Sequence, residues 1–256
     1  MKPAYVRGVG LWAPGFASAD DWCAGRSDEA VDKPACALLE GALRRRATGL
    51  TRIAVDAFCQ AASEAGGDSA SIPSVWATAH GEHASAMKLL WMMHRGEGKV
   101  SPIHFHNSVH NTASGYASIA AANAASSTTL TGGPELVAAS LLEGFCRIET
   151  QGGECIVVVA DEPFHAPFVR DDMTAPLALA FHLTSEADGA RMALSGLRRD
   201  AVSAVKLTER FGSLYVSAGL PLLEHLVYTR PGTVALELET GDAGPVWCVD
   251  LERVSD

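Results

Sequence analysis

The side chains best suited to chemistry are five of the nine histidines, His80, His83, His104, His106 and His110, which gather around Glu82. His104 and His106 are two residues apart, a spacing that lets a strand present both imidazoles to one metal ion, and His80 with His83 would add ligands from a loop or helix. Neither an HExxH motif nor a second carboxylate at fixed spacing completes such a site. The expectation is therefore structural histidines, with no metal and no cofactor. Candidate nucleophiles are equally sparse. Thr112-Ala-Ser-Gly115 lacks the GxSxG spacing of a strained nucleophile elbow. Thr131-Gly-Gly-Pro134 precedes an apolar segment and has the glycines of a phosphate cradle, but Pro134 removes one donor, so a turn or helix cap is expected. Arg44, Arg45 and Arg46 form the one positive cluster. A solvated helix start and a dock for an acidic partner are both open readings of it.

Holding such residues in place requires a folded scaffold, and the composition supplies one. The chain has 256 residues, 48% hydrophobic and 20% charged, which fits a single compact domain spanning 1–256 with a large core. A formal net charge of -10 disfavours nucleic acid and anionic membrane as partners. No apolar run approaches the roughly 20 residues of a membrane span, and a strand begins at Tyr5 without a basic, apolar leader, so a cytoplasmic location is expected. The six cysteines, Cys23, Cys36, Cys59, Cys146, Cys155 and Cys248, form no CxxC pair, and buried reduced thiols are the default.

Periodicity predicts an α/β fold. Ala4–Trp12 alternates as a strand and ends in a Pro14-Gly15 turn; Leu38–Ala65 has helical spacing interrupted by Gly49; Ser74–Thr78 is a second strand. Glu82–Arg95, Ala113–Ala125 and Pro134–Ile148 are predicted helices, with a short strand at Ser127–Thr131. Cys155–Ala160 is an uninterrupted β-branched run of the kind covered by helices on both faces. Leu177–Leu183 and Thr233–Leu238 are later strands, with a helix over Val202–Leu226 between them, loosened at Gly212 and Gly219.

Several segments occur in a familiar order: Val6-Arg-Gly-Val-Gly10, Arg44-Arg-Arg-Ala47, His80-Gly81-Glu82, Ser101-Pro102, Ser108-Val109-His110-Asn111 with Gly115, and Leu141-Leu-Glu-Gly144. Across about residues 4 to 162 they are collinear with, and the chain resembles, the amino-terminal half of a β-ketoacyl synthase. The likeness is to the short subgroup found beside type II fatty-acid-like and aryl-polyene gene sets. It implies a thiolase-like α/β/α/β/α layered fold, truncated in its second half, with residues 1–165 matching the amino-terminal half and 166–256 a shortened remainder. A two-fold dimer is the family's usual assembly.

The same resemblance implies a missing reaction centre. The family's nucleophilic cysteine stands at the start of the helix after the short strand, and that degenerate position falls at Gly133 and Pro134. The family's His-Gly-Thr-Gly-Thr turn is absent, and His165, His182 and His225 stand in unrelated contexts. No catalytic residue is therefore expected. A degenerate ketosynthase half resembles a chain-length factor, which pairs with an active ketosynthase as a heterodimer and shapes the acyl tunnel, meeting the acyl carrier protein indirectly. On that reading Met87, Leu90, Trp91, Phe105, Thr128, Thr129 and Leu130 lie near the interface or tunnel, and Arg44–Arg46 are candidate carrier-docking residues. Internal core is the competing reading of Met87, Leu90 and Trp91. The alternative function is a free-standing thiolase-like acyl hydrolase or acyltransferase with a relocated nucleophile, Cys146 or Cys155.

Overall fold

The computed structural model describes residues 2–96, 100–240 and 244–254. Strand β1 (Ala4–Trp12) is followed by short helices α1 (Ala19–Cys23) and α2 (Gly41–Arg46) and the long helix α3 (Gly49–Glu64). Strand β2 (Ser74–Ala77) leads to α4 (His83–Arg95), α5 (Pro102–His106) and α6 (Thr112–Ala121). Next come β3 (Ser127–Leu130), α7 (Leu136–Gln151), β4 (Glu154–Asp161), β5 (Leu177–Thr184) and β6 (Met192–Asp200). A 3₁₀ turn at Tyr215–Gly219 runs into α8 (Leu220–Val227), and β7 (Gly232–Ala235) and β8 (Val246–Glu252) finish the chain.

All eight strands join one mixed sheet in the order β3-β2-β4-β5-β1-β6-β8-β7. Strands β3, β2 and β4 are parallel, and β5 inserts antiparallel between β4 and β1, so the part of the chain after residue 165 is woven into the same sheet as the part before it. Every residue of β5 is buried, as is every residue of β4 after Glu154. Their alternation divides the core in two. Cys155, Val157, Val159, Leu179, Phe181 and Leu183 pack on one face with α7 and α8; Ile156, Val158, Ala160, Ala178 and Ala180 pack on the other with α3 and α6. The expected apolar run is thus a central strand covered on both sides, and the fold is α/β.

Helix α3 approaches β1 closely because β1 has glycine where the helix passes. A Cβ at Gly8 would lie 2.3 Å from the Ala61 carbonyl oxygen, and one at Gly10 would lie 2.1 Å from that of Ala57. Thr48 caps α3, its hydroxyl accepting from the Thr51 N–H at 3.0 Å, which also explains why the Leu38–Ala65 periodicity resolves into two helices.

The second half differs from expectation. Residues 202–214 are irregular, and only the 3₁₀ turn and α8 are helical in the segment predicted as one helix over Val202–Leu226. Pro221 is the reason at one end: it sits at the start of α8 and is incompatible with a helix interior. Phe211, Leu214 and Val216 supply a helix-like apolar rhythm but bury from turns. Strand β6 was hidden in the sequence because consecutive Arg198 and Arg199, on opposite faces, and the irregularity between Ser195 and Arg198 break its alternation.

Candidate functional site

The turn Thr131–Glu135 carries the chain from β3 into α7, and the Leu136 N–H returns to the Gly133 carbonyl at 3.0 Å. Pro134 therefore occupies the approach to a 16-residue helix whose first turns are buried. A thiol placed there would gain acidity from the helix dipole and its oxyanion would meet free N–H groups. Proline offers neither a nucleophilic atom nor an N–H, and Glu135 in the same turn adds a carboxylate that opposes a second anion. No thiol stands in this turn. Cys155, on buried β4, has its thiol pushed up to about 12 by burial, which disfavours the thiolate. Cys146 lies exposed along the length of α7.

Gly81 is explained by its neighbour. Its φ is +60°, and an added Cβ would lie 2.8 Å from the His110 ring, so the imidazole closes over a glycine that no other residue can replace without strain. Ser108 donates to the Phe105 carbonyl at 2.8 Å, and the Asn111 carbonyl accepts from the Ser114 hydroxyl and the Gly115 N–H, setting up α6. Val109 is exposed between them. These residues fix the α5–α6 corner.

Glu82 lies beneath that corner and is 3% exposed. Its Oε1 accepts from the hydroxyls of Thr48 at 2.7 Å and Thr51 at 2.6 Å, and its Oε2 has no partner among the described residues. Burial pushes its pKa up to about 7, against the lowering effect of the two hydroxyls. Asp161, at the end of β4, is fully buried and raised by burial to about 6, while the Thr78 hydroxyl and the Ala79 and His80 N–H groups donate to it. Glu162 follows it, is likewise raised by burial to about 7, and accepts from the Ala84 N–H. Sequence reasoning gives no weight to Asp161 or Glu162. Their one signal is position, directly after the apolar run of β4, at the strand end where α/β sheets place functional groups.

The histidines do not assemble a metal site: among the described residues no three His, Cys, Asp or Glu side chains are placed to hold an ion. His104 and His106 lie on helix α5, where residues two apart face different ways, so the strand spacing imagined for them does not arise. His80 packs at a tilt of 44° against Phe164 with ring centres 4.3 Å apart, and His83 meets the same ring edge-on at 5.0 Å. Burial lowers the pKa of both.

The flank formed by α4, α5 and α6 contrasts with the core. Leu90 is 57% exposed, Trp91 42% and Phe105 66%, which overturns the internal-core reading for Leu90 and Trp91; Met87 is half-buried. Helix α4 buries only Ser85 and Leu89. Beside it, Leu43, Pro102, Ile103, Tyr116 and Ile119 line a mostly apolar groove of about 710 Å³ with Arg46 at its rim. Buried Asn107 fixes the groove, donating to the Arg46 carbonyl at 2.7 Å and accepting from the Tyr116 hydroxyl at 3.1 Å. Arg44, Arg45 and Arg46 are exposed in the last turn of α2. Strand β3 pairs with β2 along one edge and ends the sheet on the other; Thr128, Thr129 and Leu130 on it are half-buried.

A mixed sheet sandwiched by helices, with Pro134 in the turn that leads into α7, is the α/β architecture of this chain. A family model described as "Beta-ketoacyl synthase, N-terminal domain" matches residues 20–235. The chain belongs to the β-ketoacyl synthase family. Among solved structures it is similar to a chain of the ketosynthase ApeO in complex with its chain length factor ApeC from Xenorhabdus doucetiae, at 17% identity and TM-score 0.73, over 99% of this chain and 100% of that one. It is also similar to a chain of the ishigamide ketosynthase/chain length factor, at 13% identity and TM-score 0.71, again over 99% and 100%. The AntDE:AntF complex, a type II acyl-carrier protein with its ketosynthase, matches at 10% identity and TM-score 0.73 over 99% of both chains. At these identities the likeness establishes the thiolase-like fold. No curated protein matches the sequence. No helix among the described residues is long and apolar enough to cross a membrane.

Proposed function

We propose that this chain is a non-catalytic, chain-length-factor-like subunit that pairs with an active β-ketoacyl synthase and shapes its acyl tunnel in polyene or fatty-acid-type biosynthesis. The observation that carries this reading is Pro134 at the head of α7, where the fold would otherwise activate a nucleophile. The apolar flank supports it: Leu90, Trp91 and Phe105 are exposed on neighbouring helices, and exposed apolar patches often mark interaction sites. The open edge of β3 supports it too, since an unpaired strand edge is a template for pairing with another chain. Two solved complexes of this fold join a ketosynthase to a chain length factor, and their matched chains overlap this one over almost its whole length.

In this role the active subunit supplies the thiol and histidines, and this chain supplies wall. Met87, Leu90, Trp91 and Phe105 face the partner, Thr128–Leu130 continue the sheet across the interface, and the acyl chain ends against side chains from this subunit. Arg44, Arg45 and Arg46 attract the acidic carrier once the heterodimer forms. The cytoplasm is its place of work.

Co-expression with a ketosynthase encoded beside it, followed by size-exclusion chromatography with light scattering and carrier-bound acyl extension assays, tests the reading. A 1:1 complex that elongates, from a chain inert alone, supports it. Thioester turnover by the lone chain, with no association, rejects it.

A further inference from the structure

Helix α4 is buried at only two points, Ser85 in its first turn and Leu89 in its second. Its far end carries exposed Leu90, Trp91 and Met93. The attachments at its start are carboxylates. Glu82, in the N-cap position, reaches across to Thr48 and Thr51 on α3; Glu162, from the end of β4, accepts from the Ala84 N–H. Each keeps one buried oxygen without a hydrogen bond among the described residues, Oε2 of Glu82 and Oε1 of Glu162. The Glu82 oxygen belongs to a residue lining a cavity of about 20 Å³, with Thr78 and His110 on its wall. Acidic and basic groups both surround the pair, His110 on the wall of the Glu82 cavity among them. Asp161 adds a third buried carboxyl beside Glu162, Tyr116 faces Glu82 from α6, and His165 stands 3.6 Å from Glu162 Oε1, beyond hydrogen-bond reach. Burial lowers the pKa values of His80 and His83 on the same segment, which disfavours their charged forms.

We propose that Glu82 and Glu162 form a proton-controlled latch on α4: protonated, they hold its first turn against α3 and β4, and ionised, they release it. Two anions with unpartnered oxygens are costly to keep out of water, and two neutral carboxyls cost much less. Release of the first turn lets water reach both. The direction follows from raised folded-state pKa values: the latch is fully closed below the unfolded carboxyl range and weakens as pH rises through about 7. Because α4 carries the exposed apolar side chains, the latch sets how rigidly that surface is presented. That consequence for pairing rests on the function proposed above; the latch itself is a property of the free chain.

Hydrogen–deuterium exchange on the isolated full-length chain tests it. Between about pH 6.5 and pH 8, protection of the amides of residues 84–90, corrected for intrinsic rates, should fall about ten-fold in the wild type. Protection in β5 should not change. In the double variant Glu82→Gln/Glu162→Gln protection should stay at its lower-pH level throughout. His165→Asn should keep the wild-type dependence. Equal protection at both pH values in the wild type overturns the latch, as does a dependence that survives the double variant or disappears in His165→Asn. Should the double variant fail to fold by circular dichroism, Glu82→Gln alone must at least halve the logarithmic change. Failure to pair with a ketosynthase leaves these outcomes unaffected, so the two ideas are rejected by different data.

Discussion

The two sides of β2 teach different things about this molecule. Toward β4 and β5 the sheet is buried on both faces, with apolar side chains interlocked and polar groups few. Toward α4, α5 and α6 the pattern inverts: large apolar side chains face water while the carboxylates of Glu82 and Glu162 lie inside. The first region is a core that needs nothing else. The second is arranged as though its environment were supplied from outside, by a partner for Leu90 and Trp91 and by protons for the acids.

The largest effect expected is at the first region. Phe181 is fully buried, and Phe181→Ala should cost about 3–5 kcal/mol in urea unfolding, enough to leave the domain marginal. A cost below about 1 kcal/mol would mean that the two regions are packed alike, and the contrast would fall.

Next comes the buried acid. With a folded pKa near 7 against an ordinary 4.5, Glu82 should make the chain lose about 1 kcal/mol between pH 6.5 and pH 8. Its contribution is present below the unfolded pKa and is lost as pH rises through the folded one. His80 and His83, lowered by burial, act in the opposite sense at the acid end, where they gain protons more readily unfolded than folded. Denaturant midpoints of the wild type and Glu82→Gln across that range should diverge, the variant being the more stable at pH 8. Parallel curves would show that Glu82 is hydrated like a surface acid.

How much of this was legible in the sequence divides along the same line. The run 155–160 announced a strand buried on both faces because both faces must be apolar there, and β1, α3 and α7 followed from clear periodicity. Pro134 was legible because proline is chemically unambiguous wherever it stands. The segment over 202–226 was misread because apolar residues can enter a core from turns as well as from a helix, and only Pro221 argued otherwise. Glu82 could be noticed but not understood: that it is buried with one bare oxygen depends on Thr48 and Thr51, 34 and 31 residues away in the chain. The same apolar spacing in α4 is compatible with core or interface, and periodicity carries no information on which lies opposite.

A double change of Leu90→Ser and Trp91→Ser should alter the stability of the isolated chain by less than about 1 kcal/mol, because both side chains are already in water. Trp91 loses its contacts with the Arg95 guanidinium, 5.3 Å from the ring centre, and with the His94 ring, 6.1 Å away edge-on. The same change should weaken association with a ketosynthase at least ten-fold in sedimentation or light-scattering titrations, since exposed aromatic and aliphatic anchors carry most of an interface's energy. Unchanged association would move the interface away from α4 and leave the exposed apolar flank without its explanation.

The smallest effect on the isolated chain belongs to the arginines. Arg45→Ser with Arg46→Ser exchanges two exposed side chains at the end of α2, where a positive charge interacts favourably with the helix dipole, so stability should fall by no more than about 0.5 kcal/mol. Any larger loss would place the groove rim in the fold's own support. The functional expectation is separate: in the assembled complex, the KM for acyl carrier should rise and its salt dependence should flatten, while kcat holds. A fall in kcat with KM unchanged would mean that these charges act on the tunnel and not on the carrier. A positive patch on a chain of net charge -10 is informative for that reason: it stands against the long-range field of the rest of the molecule, so whatever acidic surface it meets must first be brought close by something else.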